Sequence, residues 1–177
     1  MKKRGEENKG DKVENLSSHE AIEKLKELIK HNSICMFATR LDDTPLSSRP
    51  MSVAQVDDEG KLWFLSGKST TKNQDIAIDS HVQLFFANTS DQEYLSVYGV
   101  ASVVNNKSKI KELWNPIAKA WFNDGVDDPD ISAIRLEPEK ALYWDTKSGR
   151  MISLIKILAS AVTGKTFEEG VSGKLTV

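Results

Sequence analysis

The sequence predicts a mainly β protein, a small antiparallel barrel with helices at its flanks. Three observations carry this. Segments with the period of strands recur between Ser33 and Trp144, and turn-forming runs such as Asp42-Asp43-Thr44-Pro45 and Asp57-Asp58-Glu59-Gly60 separate them. Apolar residues at helical spacing are confined to a few stretches, mostly near the ends. Long helices do not alternate with the strands, which argues against a doubly wound parallel sheet.

Each element follows in order. Ser17-Ser18-His19-Glu20 has the form of a capping box, and Ile22, Leu25, Leu28 and Ile29 continue at helical spacing to about His31. Strands are expected over Ser33–Arg40, Leu46–Val56 and Lys61–Ser66, then a short helix over Thr70–Ile78. Val82–Ala87 is an apolar strand, and Tyr94–Val104 alternates along a longer one, with Gly99 as a bulge or a point of close approach. Lys107–Phe122 reads as helical, broken at Pro116, and Ile131–Leu136 and Ala141–Trp144 complete the strands. Met151, Leu154, Ile155 and Leu158 mark a terminal amphipathic helix ending near Gly164. No internal repeat is visible.

At 177 residues, 39% of them apolar, the chain suits one compact domain, placed at residues 17–165. Met1–Asn15 is charged at most positions, with Val13 its one apolar side chain after the initiator, so residues 1–16 are expected to form a disordered tail. Residues 166–177 form a C-terminal tail. The net charge of -2 excludes a general nucleic-acid or membrane-surface binder. No apolar run suits a signal peptide or a membrane span, and the single cysteine, Cys35, allows no internal disulfide, so a cytoplasmic location is expected. Cys35 lies in the apolar run Ile34-Cys35-Met36-Phe37 and reads as a buried structural thiol.

The chemistry concentrates where Leu62-Trp63-Phe64-Leu65-Ser66 runs into Gly67-Lys68-Ser69-Thr70-Thr71-Lys72. An apolar strand entering a turn rich in hydroxyls and cations places a hydrophobic wall beside a phosphate clamp, as a cofactor with an aromatic ring and a phosphate requires. Ser69, Thr70 and Thr71 offer hydroxyls and backbone N–H groups at a helix start, and Lys72 adds a full charge. The same residues would serve equally as a solvated turn with a helix cap. Gly67-Lys68-Ser69 is not a P-loop, because Leu62 stands where that motif needs its first glycine. On the preceding strand Arg49 is held extended by Pro50, which marks an edge or a bulge. By itself Arg49 reads as a surface cation.

Trp114 and Trp121 share one face if a helix continues through Pro116, and they suit core packing, a dimer interface or stacking on a planar ring. The acidic run Asn123–Asp130 lacks EF-hand spacing and reads as a structured turn. His19, His31 and His81 stand in no ligand spacing, so no metal is assigned.

Taken together, Ser48-Arg49-Pro50-Met51, Leu62–Leu65, Ser69–Lys72, Tyr98-Gly99, Leu113-Trp114, Ala120-Trp121-Phe122 and Asp127-Asp128-Pro129 resemble the pyridoxamine 5'-phosphate oxidase-like flavin-binding split-barrel proteins, specifically their general stress protein branch. The resemblance spans about Glu20 to Gly164. It implies a six-stranded antiparallel split β-barrel (the FMN-binding split barrel) and a homodimer with FMN, or alternatively FAD, in clefts at the subunit interface. It further implies that Arg49, Pro50, Met51 and Ser52 border the flavin ring and that Leu65 and Ser66 line it. Ser69, Thr70, Thr71 and Lys72 fall at the phosphate, and Trp114 and Trp121 approach from the second subunit. Two departures stand out. Thr71 occupies a position that is an arginine in the vitamin-making oxidases, and Met151–Val177 contains no histidine, arginine or tryptophan to grip a substrate phosphate. The expectation is therefore a flavin-dependent oxidoreductase with a small-molecule substrate or electron donor, and not a true pyridoxamine-phosphate oxidase. A non-catalytic flavin-binding, storage or sensor protein is the alternative.

Overall fold

The computed structural model describes residues 14–15, 18–145 and 150–153. The elements run β1 (Glu14–Asn15), α1 (Ser18–His31), β2 (Ile34–Thr39), β3 (Ser47–Ser52), β4 (Gln55–Val56), β5 (Leu62–Gly67), α2 (Thr71–Ile78), β6 (His81–Asn88), β7 (Glu93–Val104), α3 (Lys107–Leu113), β8 (Ile131–Asp145) and β9 (Arg150–Ser153). Two single 3-10 turns, Ala118–Ala120 and Gly125–Asp127, lie between α3 and β8.

The strands form one curled sheet, antiparallel except where β1 meets β9. β2 pairs with β3 and β6, β6 with β7, β7 with β8, β8 with β5, and β5 with β4. β3 and β4 are two arms of one bent segment. At the bend Val53 N donates to Ser33 O at 2.9 Å, and Ala54 N donates to Trp63 O at 2.7 Å. The segment thus leaves β2 and joins β5, and the pairings return to their start. Counting β3–β4 once, six strands make the ring, the mainly β barrel that the sequence predicts.

Inward side chains fill that ring. Phe37, Leu62, Phe64, Val82, Leu84, Val97, Ile134 and Leu136 are buried there, with Phe37 and Phe64 edge-on at 5.3 Å. The apolar stripe of α1 (Ala21, Ile22, Leu25, Leu28, Ile29) belongs to the same cluster. A second cluster lies on the outer side of β5 and β8, where Trp63, Ile131 and Ala133 meet Ile110 and Leu113 of α3, with Ala118 and Phe122. Cys35 is buried as expected, and burial pushes its thiol up to about 12.

Several elements depart from the sequence reading. Leu46–Val56 is two strands, because the segment changes partners at its middle. Ile131–Leu136 and Ala141–Trp144 are one strand, which passes through Pro138. The ladder with β7 shifts between Tyr98 and Gly99, so Pro138 faces Gly99, Lys140 faces Tyr98, and Glu139 is the extra residue. The Gly99 expectation holds, since a Cβ there would stand 2.2 Å from the Glu137 carbonyl oxygen. The Lys107–Phe122 helix stops at Leu113. Trp114 is already extended (φ -62°, ψ 131°), two residues before Pro116, and the Asn115 side chain accepts from Ala118 N at 3.0 Å, starting a new turn. Met151 lies in β9, not in a helix; the rest of that expected helix, like Ser17 of the capping box, falls outside the described residues. Glu14 and Asn15, within the expected tail, pair with Ile152 and Ser153, because β9 offers them a free ladder edge.

Candidate functional site

β5 sorts its side chains by alternation. Leu62 and Phe64 enter the barrel core, whereas Trp63 and Leu65 join the outer cluster. Ser66, next in the inward series, is buried and begins a closed polar ring. Its hydroxyl donates to Asn73 Oδ1 at 2.7 Å, Asn73 Nδ2 donates to Ser132 Oγ at 2.9 Å, and Ser132 donates back to the Ser66 carbonyl at 2.9 Å. All three side chains are buried, so the ring fastens the first turn of α2 to both β5 and β8.

Arg49 lies opposite Phe37 in the β2–β3 ladder, so it turns inward at one end of the barrel. Its Nη1 donates to Thr39 Oγ1 at 2.7 Å, and Nη2 donates to Ser47 Oγ at 2.8 Å. The fully buried Thr39 hydroxyl passes the bond on to Asp75 Oδ2 at 2.6 Å, and Arg49 Nη2 lies 3.5 Å from the same oxygen. The guanidinium is therefore fixed on three sides.

Lys72, half-buried, donates to Thr70 Oγ1 at 3.1 Å. Its ammonium is held below the usual lysine range, first by burial and then by the positive charge of Arg49, with Asp130 opposing weakly. Two strand- and helix-anchored cations thus repel one another in a partly dry corner. Among the described residues, the backbone N–H groups of Thr71 and Lys72 donate to no protein acceptor. Such a corner is made for an anion with several oxygens.

The rest of the turn is already occupied by the protein. Asp130 Oδ1 accepts from Ser69 N at 2.9 Å, and Asp130 Oδ2 accepts from the Ser69 hydroxyl at 3.0 Å. A Cβ on Gly67 would come within 2.6 Å of the same carboxylate, which explains glycine there. The Thr70 hydroxyl donates to Gly67 O at 2.7 Å. Of the four residues expected at a phosphate, Thr71 and Lys72 keep backbone donors that no described protein group accepts, and the Arg49 charge acts on Lys72.

The other expected residues scatter by face. Pro50 and Ser52 are exposed on the outer side of β3, while Met51 packs against the barrel core. Leu65 and Ser66 point to opposite sides. Trp114 and Trp121 do not share a helix face: Trp114 packs on Phe122 at 6.3 Å, and Trp121 is 80% exposed beside exposed Ile117. The acidic run is the structured turn expected, since Asp128 Oδ1 accepts from Asp130 N at 2.9 Å and Asp130 grips Ser69. No group of three metal-binding side chains occurs among the described residues, and no helix there is long and apolar enough to cross a membrane.

Sequence reasoning missed Thr39, Asn73, Asp75, Asp130 and Ser132. One signal was available: Asn73 shares a helix face with the buried Ile76, and a polar side chain on a core stripe implies a buried partner.

Comparison with known proteins places the chain. The sequence profile of the family described as "Pyridoxamine 5'-phosphate oxidase like" matches residues 20–168. Protein bli-3 of Neurospora crassa is 29% identical over 154 residues, covering 81% of this chain and 74% of that protein. A Clostridium acetobutylicum structure, described as related to general stress protein 26 of Bacillus subtilis and as belonging to the pyridoxinephosphate oxidase family, superposes with a TM-score of 0.65 at 19% identity. It covers 78% of this chain and 98% of its own. The general stress FMN/FAD binding protein of Xanthomonas citri superposes with a TM-score of 0.61 at 21% identity, covering 89% and 99%. The curled antiparallel sheet is the split-barrel fold of these structures.

Proposed function

This chain belongs to the pyridoxamine 5'-phosphate oxidase-like family, and from that premise we propose that it binds a flavin nucleotide and acts as a flavin-dependent oxidoreductase. The observation that carries the reading is the Arg49–Lys72 corner, where two cations repel beside unmet N–H groups. A phosphate there would relieve the repulsion and return Lys72 towards its ordinary range. The similar Xanthomonas citri protein, named for FMN/FAD binding, supports the same cofactor class, with FMN as the proposed ligand and FAD as the alternative. Arg49, Thr71 and Lys72 would hold the phosphate, and the β3 edge at Pro50–Ser52 would border the ring. When bound, the flavin supplies hydride or electron transfer at its ring, while the chain supplies orientation and charge.

A homodimer completes the proposal. On the outer face of β2 and β6 the exposed positions are apolar except for His81 at the start of β6: Ile34 is 58% exposed, Met36 44% and Phe85 49%. Met36 sits between Pro50 and Phe85 in adjoining ladders, so the patch is contiguous. A second copy would cover it, and the exposed Trp121 offers an aromatic surface to a cleft between copies.

The test is the absorbance spectrum of protein purified without added cofactor, followed by FMN titration and addition of NADH or NADPH. A yellow protein bleached by the donor is expected. Colourless protein that takes up no FMN overturns the reading, and bound flavin that no donor reduces leaves only the storage or sensor role.

A further inference from the structure

The chain between β7 and β8 folds back onto the β5–α2 turn, where Lys68 and Ser69 bond to Pro129 and Asp130. It encloses a cavity of about 200 Å³. Lys107 and Lys111 reach it from one face of α3, Lys68 from the turn opposite, and Ile110, Val126 and Ile131 provide an apolar lining. Asp127 and Asp128 stand in the same wall.

Among the described residues, lysines outside any ion pair also occur elsewhere, such as Lys30 and Lys119, but here three line one cavity. Lys24, Lys26, Lys61 and Lys109 each lie on a carboxylate. Among the described residues, Lys68, Lys107 and Lys111 have no carboxylate within ion-pair distance, although two line their own cavity. Lys68 Nζ donates instead to the Pro129 carbonyl at 2.6 Å, and Asp128 Oδ1 is engaged by the Asp130 N–H. Three unneutralised ammonium groups around a concave, apolar-lined space attract an anion with a hydrophobic body.

We infer that this cavity binds a small organic anion, a phosphate monoester or a carboxylate whose body is one ring or a short aliphatic chain. Its charged end lies at Lys68, Lys107 and Lys111, and its body lies on Ile110, Val126 and Ile131. The size agrees, since a cavity of about 150 Å³ accommodates benzene. Asp127 and Asp128 disfavour a second negative group, so the ligand carries its charge at one end. Its lining includes neither Arg49, Thr71 nor Lys72, and the inference does not depend on the flavin assignment.

Calorimetric titration of the full chain with phenyl phosphate, benzoate, inorganic phosphate and benzyl alcohol tests it. Phenyl phosphate or benzoate should bind, and the tighter of the two identifies the anionic group. The double variant Lys107→Gln/Lys111→Gln should weaken that binding by about tenfold or more, while Lys72→Met leaves it unchanged. Thermal melting of the double variant, altered only at exposed side chains, should match the parent. Failure of both anions to bind at about 10 mM overturns the inference. So does weakening by Lys72→Met but not by the double variant, which would locate the anion in the other corner. Equal affinity for inorganic phosphate and phenyl phosphate would remove the apolar half of the site and with it the proposed ligand class.

Discussion

Lys72→Met separates the charge of the Arg49–Lys72 corner from its packing. Lys72 is half-buried with its ammonium disfavoured by dehydration and by Arg49, and its one hydrogen bond is to Thr70 Oγ1. Methionine keeps the stem and removes the charge, so the fold should lose little stability or gain some. Binding of a phosphate should suffer. A hydrogen bond to a charged group contributes about 1.5–3 kcal/mol, which converts to roughly a 10- to 150-fold loss of FMN affinity. Riboflavin, which shares the ring and lacks the phosphate, should bind the variant and the parent alike. The assay is fluorescence quenching titration of both flavins, with urea unfolding of both proteins. Equal weakening of FMN and riboflavin would refute the reasoning, because Lys72 would then act on the ring or the fold. Unchanged FMN affinity would refute it as well.

The pH dependence follows from the same group. Because the folded-state pKa of Lys72 lies below the ordinary lysine range, the unfolded chain holds more protons in the interval between the two. Lys72 therefore makes the fold more stable as pH rises through that interval, and FMN affinity should fall over the same range; urea midpoints and titrations of parent and Lys72→Met across alkaline pH check both. Gly99→Ala should destabilise by about 3 kcal/mol, seen as a lower melting temperature, because its Cβ would meet the Glu137 carbonyl at 2.2 Å. Thr39→Val breaks the relay from Arg49 to Asp75 inside the barrel and should cost roughly 1–3 kcal/mol in urea unfolding, with a loss of FMN affinity. Met36→Lys with Phe85→Lys should turn the proposed dimer into a folded monomer in light scattering, since both side chains lie on the exposed apolar patch.

The period of the apolar residues made most of the barrel readable. β2, β5, β6 and β7 fall where their apolar pattern places them, and Gly99 was legible because a glycine inside a strong strand signals a bulge or a close approach, and both occur there. What failed was continuity. The helix expected to break at Pro116 already ends at Leu113, and Pro138 interrupts nothing, because its missing N–H falls at a bulge. A proline's effect depends on its ladder partner, which sequence does not display. The candidate site divides in the same way. Arg49 and Lys72 could be singled out as cations near turns, yet their pairing arises from Phe37 facing Arg49 and from Asn73 anchoring α2. Both are long-range contacts. Asp130, far along the chain, takes the donors of Ser69 and thereby changes which turn residues remain open.

The route from β7 to β8 has an evolutionary corollary. Val104 and Ala133 are ladder partners, so the excursion from residue 105 to residue 130 departs and returns at one point of the wall. It carries its own apolar anchor in Leu113, Ala118 and Phe122. Insertions, deletions or exchanges within it can be absorbed without disturbing strand pairing, while they redraw the surface around Trp121 and the three lysines. Relatives can thus keep one scaffold and diverge in what they recognise through this cassette alone.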